Sequence, residues 1–255
     1  MKRFLIVFGL ISTGLVFGQE KPTTDFLSEI QKFDISYLWT LTNFQPENDT
    51  SFVKRQEPLG YIGDNYQRFY IHFISAIQNP SNNLEYFVYG KRMVKENICS
   101  FQGLITVTES RIYSEGDMPP FKQGFVKGNY KFFEDSKEKE TGILSGNFET
   151  DFNIDKNGKM KYDALMFISD EFENNQFEGT WTSYKTNDSK KCNWGDYRIP
   201  DSKELDSGAA EFMVDDHYKL NGWETYLTAG GIIVGNLSIE EARKKEIEKW
   251  WIDSE

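Results

Sequence analysis

The chain has 255 residues, and 40 acidic against 29 basic side chains give it a formal net charge of −11. This acidity argues against binding nucleic acid or an anionic membrane, because both need a basic surface. Phenylalanine, tyrosine and tryptophan make up 16% of the residues, which favours strands and a large aromatic core.

The first 18 residues have the three-part layout of a secretory signal peptide. Lys2 and Arg3 precede an apolar run over 4–16, and Val16-Phe17-Gly18 offers a small residue at the cleavage point. That run is shorter than the roughly 20 residues that a membrane span needs. We therefore expect a chain that starts at Gln19, keeps no membrane anchor after cleavage, and is secreted or periplasmic. No linker interrupts 19–255, which predicts a single domain.

A short helix and then strands are predicted after the signal peptide. The helix is indicated by apolar residues at helical spacing: Phe26, Leu27, Ile30 and Phe33. Turn residues at 79–83 separate two strand-like runs, Arg68–Ile77 and Tyr86–Val94. This alternation of strands and turns is typical of an antiparallel meander.

One short phrase recurs along the middle of the chain: an apolar residue, any residue, Gly, any residue, and an apolar or aromatic residue. Its four copies are Phe101–Ile105, Val126–Tyr130, Leu144–Phe148 and Phe177–Trp181, and Val88–Arg92 begins a degenerate fifth. Residues two apart share one face of a strand, so each Gly should lie on the core face between its apolar neighbours. There it permits a sharp bend, or a neighbouring ring lying over the backbone. The copies are irregularly spaced, which excludes a solenoid.

An Asn-Gly dipeptide at Asn157-Gly158 separates the runs Phe148–Ile154 and Met160–Leu165 and predicts a hairpin. The residues from Asn153 to Gly158 also resemble the start of an EF-hand calcium loop. Ala164 stands at the twelfth position, where that loop requires a bidentate Glu. The hairpin is therefore the preferred interpretation.

The chain has two cysteines, Cys99 and Cys192. In an exported protein an even pair predicts a disulfide, here closing a loop of about 90 residues. Two separate buried thiols are the alternative.

The segment Cys192–Pro200 places two aromatic residues, an acid and a base next to the predicted disulfide. Aromatic faces with polar neighbours can bind sugars or flat apolar ligands. Its candidate ligand-binding residues, taken together with one tryptophan of the repeated phrase, are Trp181, Trp194, Asp196, Tyr197 and Arg198. The competing interpretation is a fixed loop in which Asp196 and Arg198 make ordinary hydrogen bonds.

Near the C-terminus, the segment Gly230–Gly235 predicts a buried apolar strand bounded by glycines. Ser238 and Glu241 then fit a capping box, which predicts a helix over 239–251 that packs its tryptophan face on the sheet. A partner-binding helix that uses Trp250 and Trp251 is the alternative.

Common catalytic signatures are missing from the sequence. It contains no G-x-S-x-G, H-E-x-x-H, Walker A or C-x-x-C motif, and we predict no catalytic residue, cofactor or metal ligand. Of the two histidines, His72 is expected to be structural within a strand, and His217 to lie in a solvated acidic loop.

The meander, its glycines and the phrase Gly179-Thr180-Trp181 resemble the calycins, the superfamily of lipocalin and avidin barrels, over residues 86–186. The chain as a whole resembles uncharacterised secreted proteins of Bacteroidetes. We therefore expect an all-β fold: an antiparallel barrel or coiled sandwich of about 8–10 strands with short terminal helices. Neither resemblance assigns ligand residues.

Three functions follow from these observations. The leading one is non-enzymatic binding of a small molecule or glycan, since such a barrel can hold one ligand in its mouth. The second is a secreted hydrolase acting on glycans or cell-wall material, which needs two carboxylates in a cleft. The third is a surface or interaction protein.

Overall fold

The computed structural model describes residues 21–46 and 51–252. The predicted signal peptide, 1–18, lies outside these residues. The strands are β1 (Thr23–Asp25), β2 (Asn43–Phe44), β3 (Val53–Lys54), β4 (Leu59–Ile62), β5 (Gln67–Asn79), β6 (Asn82–Val94), β7 (Asn97–Tyr113), β8 (Lys122–Glu134), β9 (Gly142–Ile154), β10 (Met160–Tyr162), β11 (Asn174–Ser183) and β12 (Ser189–Asp196). The helices are α1 (Leu27–Ile30), α2 (Tyr37–Thr40), α3 (Glu224–Ala229) and α4 (Ile239–Glu246), with a 3₁₀ turn at Lys203–Leu205.

Eight strands form a closed antiparallel ring. Each of β4 to β9 pairs with the next, β9 pairs with β11, β11 with β12, and β12 returns to β4. With β1 on β7 and β10 on β9, the sheet has ten strands. The predicted antiparallel all-β fold is confirmed. Among the described residues, no helix combines the length and the apolar character that crossing a bilayer requires.

The repeated glycine phrase lies on the inner face of the ring, as predicted. Gly146 of β9 faces Gly179 of β11, where a Cβ would come within 1.9 Å of the Glu178 carbonyl oxygen. At Gly179 a Cβ would come within 2.5 Å of the Tyr130 hydroxyl. The missing side chains thus let neighbouring strands approach and a ring lie over the backbone.

Aromatic rings fill the middle of the barrel. Phe73 of β5 contacts Phe177, three strands away in the ring, with ring centroids 5.7 Å apart. Trp194 of β12 stacks on Phe177 at 5.0 Å and meets Tyr130 of β8 at 5.1 Å. Contacts between opposite walls mean that side chains, rather than a ligand chamber, occupy the interior at this level.

An N-terminal plug, residues 26–44, covers one end of the barrel. Ile30, Ile35, Leu38, Trp39 and Phe44 are buried in the same cluster as the barrel core. The predicted helical spacing of this region is confirmed only over α1, which is one turn long.

A buried ion pair lies near the other end. Arg92, which takes the last apolar position of the degenerate fifth phrase, faces inward from β6 and pairs with Glu134 of β8. Glu134 also accepts hydrogen bonds from Trp181 Nε1 at 2.9 Å and from the Gly142 amide at 2.7 Å. These partners compensate the carboxylate for the loss of water.

The predicted disulfide is wrong, because Cys99 and Cys192 are free buried thiols. Cys99 lies on β7 and Cys192 on β12, with three strands between them in either direction around the ring. Eight strands spaced ~4.8 Å apart place opposite walls roughly 12 Å or more from each other. A disulfide needs its Cα atoms within about 7 Å.

The C-terminal residues pack on the outside of β4 and β5. Ile199, Leu205, Trp223 and Leu227 form a second apolar cluster with β4 residues such as Tyr61. The strand predicted at Gly230–Gly235 is wrong: the segment is a loop in which Ile232 and Ile233 are exposed and Gly231 and Gly235 have positive φ.

Helix α4 begins at the predicted capping box, Ser238 with Glu241, but ends at Glu246 rather than at 251. After the helix, Trp251 stacks on His72 of β5 with ring centroids 3.7 Å apart, and Trp250 contacts Tyr70. Arg68 holds the helix through a two-pronged ion pair with Glu246. The tryptophans thus reach the sheet from a turn after the helix.

Candidate functional site

The candidate ligand-binding residues of the sequence do not form one site. Trp194 is fully buried in the barrel core, and Trp181 donates to Glu134 near the end opposite the plug. Tyr197 packs edge-on against Phe167 and Phe172. The hairpin predicted at 155–158 is confirmed, with Gly158 at a positive φ of 77°.

Asp196, the acid of that set, is a buried anchor for the plug. Its carboxylate accepts two hydrogen bonds from Arg55 and one each from Tyr162 and Asn175. Arg55 in turn donates to the Trp39 and Leu41 carbonyls of the plug. The alternative interpretation from sequence expected Asp196 to make ordinary hydrogen bonds within a fixed loop; in the structure Asp196 ends β12 and its partners come from distant segments of the chain.

A groove of about 1010 Å³ runs along the outer face of the barrel. We call it the lateral groove. Its floor is the outward side of β7, β8 and β9, where Arg111, Phe125 and Asp151 are cross-strand neighbours. One row further along lie Glu109, Lys127 and Glu149. Its walls are formed by the segment 163–173 and by Lys21 and Thr23, which lie at β1.

Three aromatic side chains line the lateral groove: Tyr113, Phe125 and Phe172. The Tyr113 and Phe125 rings lie 5.8 Å apart, and Lys127 Nζ lies 4.7 Å from the centre of the Phe125 ring. Flat apolar faces next to polar groups are a common feature of sugar-binding surfaces.

Acidic residues outnumber basic ones in this groove. Seven carboxylates and three bases line it, and each base is already paired with an acid: Lys21 with Asp117, Arg111 with Glu109, and Lys127 with Glu149. Asp163 accepts a hydrogen bond from Gln123 at 2.9 Å. Among the described residues, none forms a salt bridge or hydrogen bond with the carboxyl groups of Asp151 and Glu173, although the Asn174 side chain hydrogen-bonds the backbone of Asp151.

Asp151 has the most altered acidity in the groove. Burial raises its pKa to about 8, and the negative charges of Glu149, Asp163 and Glu173 add to the effect. Burial also raises the pKa of Glu173, with Glu149 and Glu171 contributing and Arg198 opposing. A carboxyl group that keeps its proton near neutral pH can donate a hydrogen bond or a proton.

A smaller cleft of about 470 Å³ adjoins the lateral groove. Both are lined by Glu149, Asp151 and Glu173, so the two form one continuous surface. Arg198, one of the predicted ligand-binding residues, lines this cleft and pairs with Asp206 at 2.8 Å. Together the two concavities offer room for an extended ligand.

The sequence analysis assigned no role to Glu149 or Asp151. The available signal was the alternation Glu149-x-Asp151, which puts both carboxylates on the outward side of β9. The sequence does not give the register between β8 and β9, which places Phe125 next to Asp151 and Lys127 next to Glu149. Within the described part of the chain, no three His, Cys, Asp or Glu side chains are arranged to hold a metal ion.

Similarity to other proteins does not indicate what the groove binds, so the proposed function depends on its geometry, charge and chemistry. Comparison with protein families, with curated proteins and with solved structures gives no match for this chain.

Proposed function

We propose that this protein binds a glycan in the lateral groove, on the outside of the barrel. The observation that carries the proposal is the grouping of Tyr113, Phe125 and Asp151, which sets the partly exposed ring of Tyr113 and the largely buried ring of Phe125 next to a carboxyl group on one floor. Rings stack on the apolar faces of sugars, while carboxyl groups accept or donate hydrogen bonds to hydroxyls. A glycan-binding site inside the barrel is less well supported, because aromatic rings from opposite walls contact each other there.

The test is a binding screen against neutral and charged oligosaccharides, followed by calorimetry on each hit. Tyr113→Ala removes a half-buried ring of the groove and should weaken binding about tenfold, which corresponds to about 1.4 kcal/mol. Tyr89→Ala is the matched control, because Tyr89 is 42% exposed on the outer face of β6 and does not line the groove. Equal affinities for the two variants would contradict the proposal.

Hydrolysis of the bound glycan is a second candidate, favoured by the pair Glu149 and Asp151. Two residues apart on one strand, they project from the same face of β9 with Cα atoms about 6.6 Å apart, and glycosidases use a pair of carboxyl groups that flank the scissile bond. Asp151 with its raised pKa suits a proton donor, whereas Glu149 is ion-paired with Lys127 at 2.9 Å. The pair is therefore chemically asymmetric, as acid–base catalysis needs.

Turnover of a glycan that binds is the discriminating measurement. If the pair is catalytic, Asp151→Asn and Glu149→Gln abolish product formation while the glycan still binds. Intact glycan after prolonged incubation with the unmodified protein leaves binding as the function.

A further inference from the structure

The lateral groove carries more negative charge than its own bases neutralise. Once the three ion pairs are formed, the lining carboxylates Asp163, Glu171 and Glu173 remain without a base, and Asp151 adds a further negative charge when it is ionised. Asp163 is hydrogen-bonded to Gln123, but that amide brings no positive charge. The excess negative charge lies along one wall, between segment 163–173 and β9.

From this excess we infer that the bound glycan carries protonated amines, as an oligomer of amino sugars without N-acetyl groups does; the inference rests on the proposed glycan-binding function. Ammonium groups spaced along such an oligomer can pair with the spaced carboxylates of the groove. Uronic-acid or sulfated glycans are disfavoured, because like charges repel at this surface.

The acidity of Asp151 supports the same ligand class. Part of its raised pKa comes from Glu149, Asp163 and Glu173, the field that would attract a cation. An ammonium group bound nearby offsets that field and favours the ionised carboxylate, so Asp151 releases a proton when the ligand binds. A neutral sugar leaves the field unchanged and draws no such proton.

The experiment compares two oligosaccharides of equal length and linkage, a β-1,4-linked glucosamine tetramer and its fully N-acetylated counterpart. Calorimetry at pH 6.5 should give at least tenfold tighter binding of the glucosamine tetramer, and raising the salt concentration should reduce that preference. Equal or tighter binding of the N-acetylated tetramer overturns the inference and leaves glycan binding intact. If neither tetramer binds, and no other oligosaccharide binds, the inference is overturned together with the proposed function.

Variants of the protein test whether the preference for the amine-bearing tetramer depends on the carboxyl groups of the groove. The double change Asp151→Asn with Glu173→Gln should reduce the preference for the amine to a few-fold, with folding checked by circular dichroism. Asp216→Asn is the control for loss of one charge, because its side chain is 87% exposed and lies outside both concavities. Titrations in two buffers of different ionisation enthalpy should show less proton release for Asp151→Asn alone than for the unmodified protein. The inference is also overturned if Asp216→Asn lowers the preference as much as the groove variant does.

Discussion

Arg55 and Asp196 form a buried, two-pronged ion pair, with Arg55 Nε 2.9 Å from Oδ2 and Nη2 2.7 Å from Oδ1 of Asp196. The Asp196 side chain is fully buried and that of Arg55 is 8% exposed. Because Arg55 also holds the Trp39 and Leu41 carbonyls, this pair links the end of β12 to the plug that covers the barrel.

Removing one partner of this pair should be strongly destabilising. Arg55→Ala leaves the Asp196 carboxylate buried without its main counter-charge, which typically costs about 3–5 kcal/mol. The measurement is urea unfolding at neutral pH. Lys244→Ala is the control, since Lys244 and Glu240 form a pair that is 74% and 83% exposed, and its loss should cost under about 1 kcal/mol. Similar losses for both variants would show that the plug does not depend on Arg55.

A methyl group at Gly146 should disturb the barrel wall. Its Cβ would lie 1.9 Å from the Glu178 oxygen and 2.6 Å from the Gly179 Cα, both of them backbone atoms that cannot move aside alone. We expect Gly146→Ala to cost about 2–3 kcal/mol or more. At Gly230 the nearest atoms to a Cβ are at 3.5 Å, so Gly230→Ala should be near neutral. Thermal unfolding of the two variants checks the contrast.

The inner face of the barrel was predictable because it depends on local periodicity. In every copy of the phrase, including the degenerate one, the first residue, the Gly and the last residue point inward. Arg92 shows the limit of that reasoning. Its inward position follows from alternation, but its partner Glu134 lies 42 residues away on another strand and is known only from the register.

The candidate site was not predictable, because it depends on the register between strands rather than on the periodicity along one strand. Trp194 and Asp196 were predicted to bind a ligand because an aromatic ring and an acid lie close together in sequence. In the structure both are buried, through the alternation along β12 and the packing of the plug. The lateral groove is built from ordinary outward residues such as Glu149 and Asp151. They become notable only when three strands and the segment 163–173 bring them together.

Both cysteines should be free and protected in the folded protein. Burial raises the pKa of Cys99 to about 12 and that of Cys192 well above its usual value, so neither is a thiolate at neutral pH. Alkylation without reductant should therefore modify no cysteine in buffer and two in urea, counted by intact mass. A single disulfide, seen as no modification in urea, would contradict the positions of the two strands.

The pKa of Asp151 should make stability depend on pH. Folded Asp151 has a pKa of about 8 against an ordinary value of 3.8, so from about pH 4 to 8 the folded state holds a proton that the unfolded state has lost. Stability from this group therefore falls as the pH rises through that window and levels off above it. Asp151→Asn removes the effect, and its stability relative to the unmodified protein should rise by ~1–3 kcal/mol between pH 5 and 9, allowing for solvent screening. Urea midpoints at both pH values give the difference, with Asp216→Asn as the exposed control. A gap that stays constant with pH would mean that Asp151 titrates like an ordinary surface carboxylate.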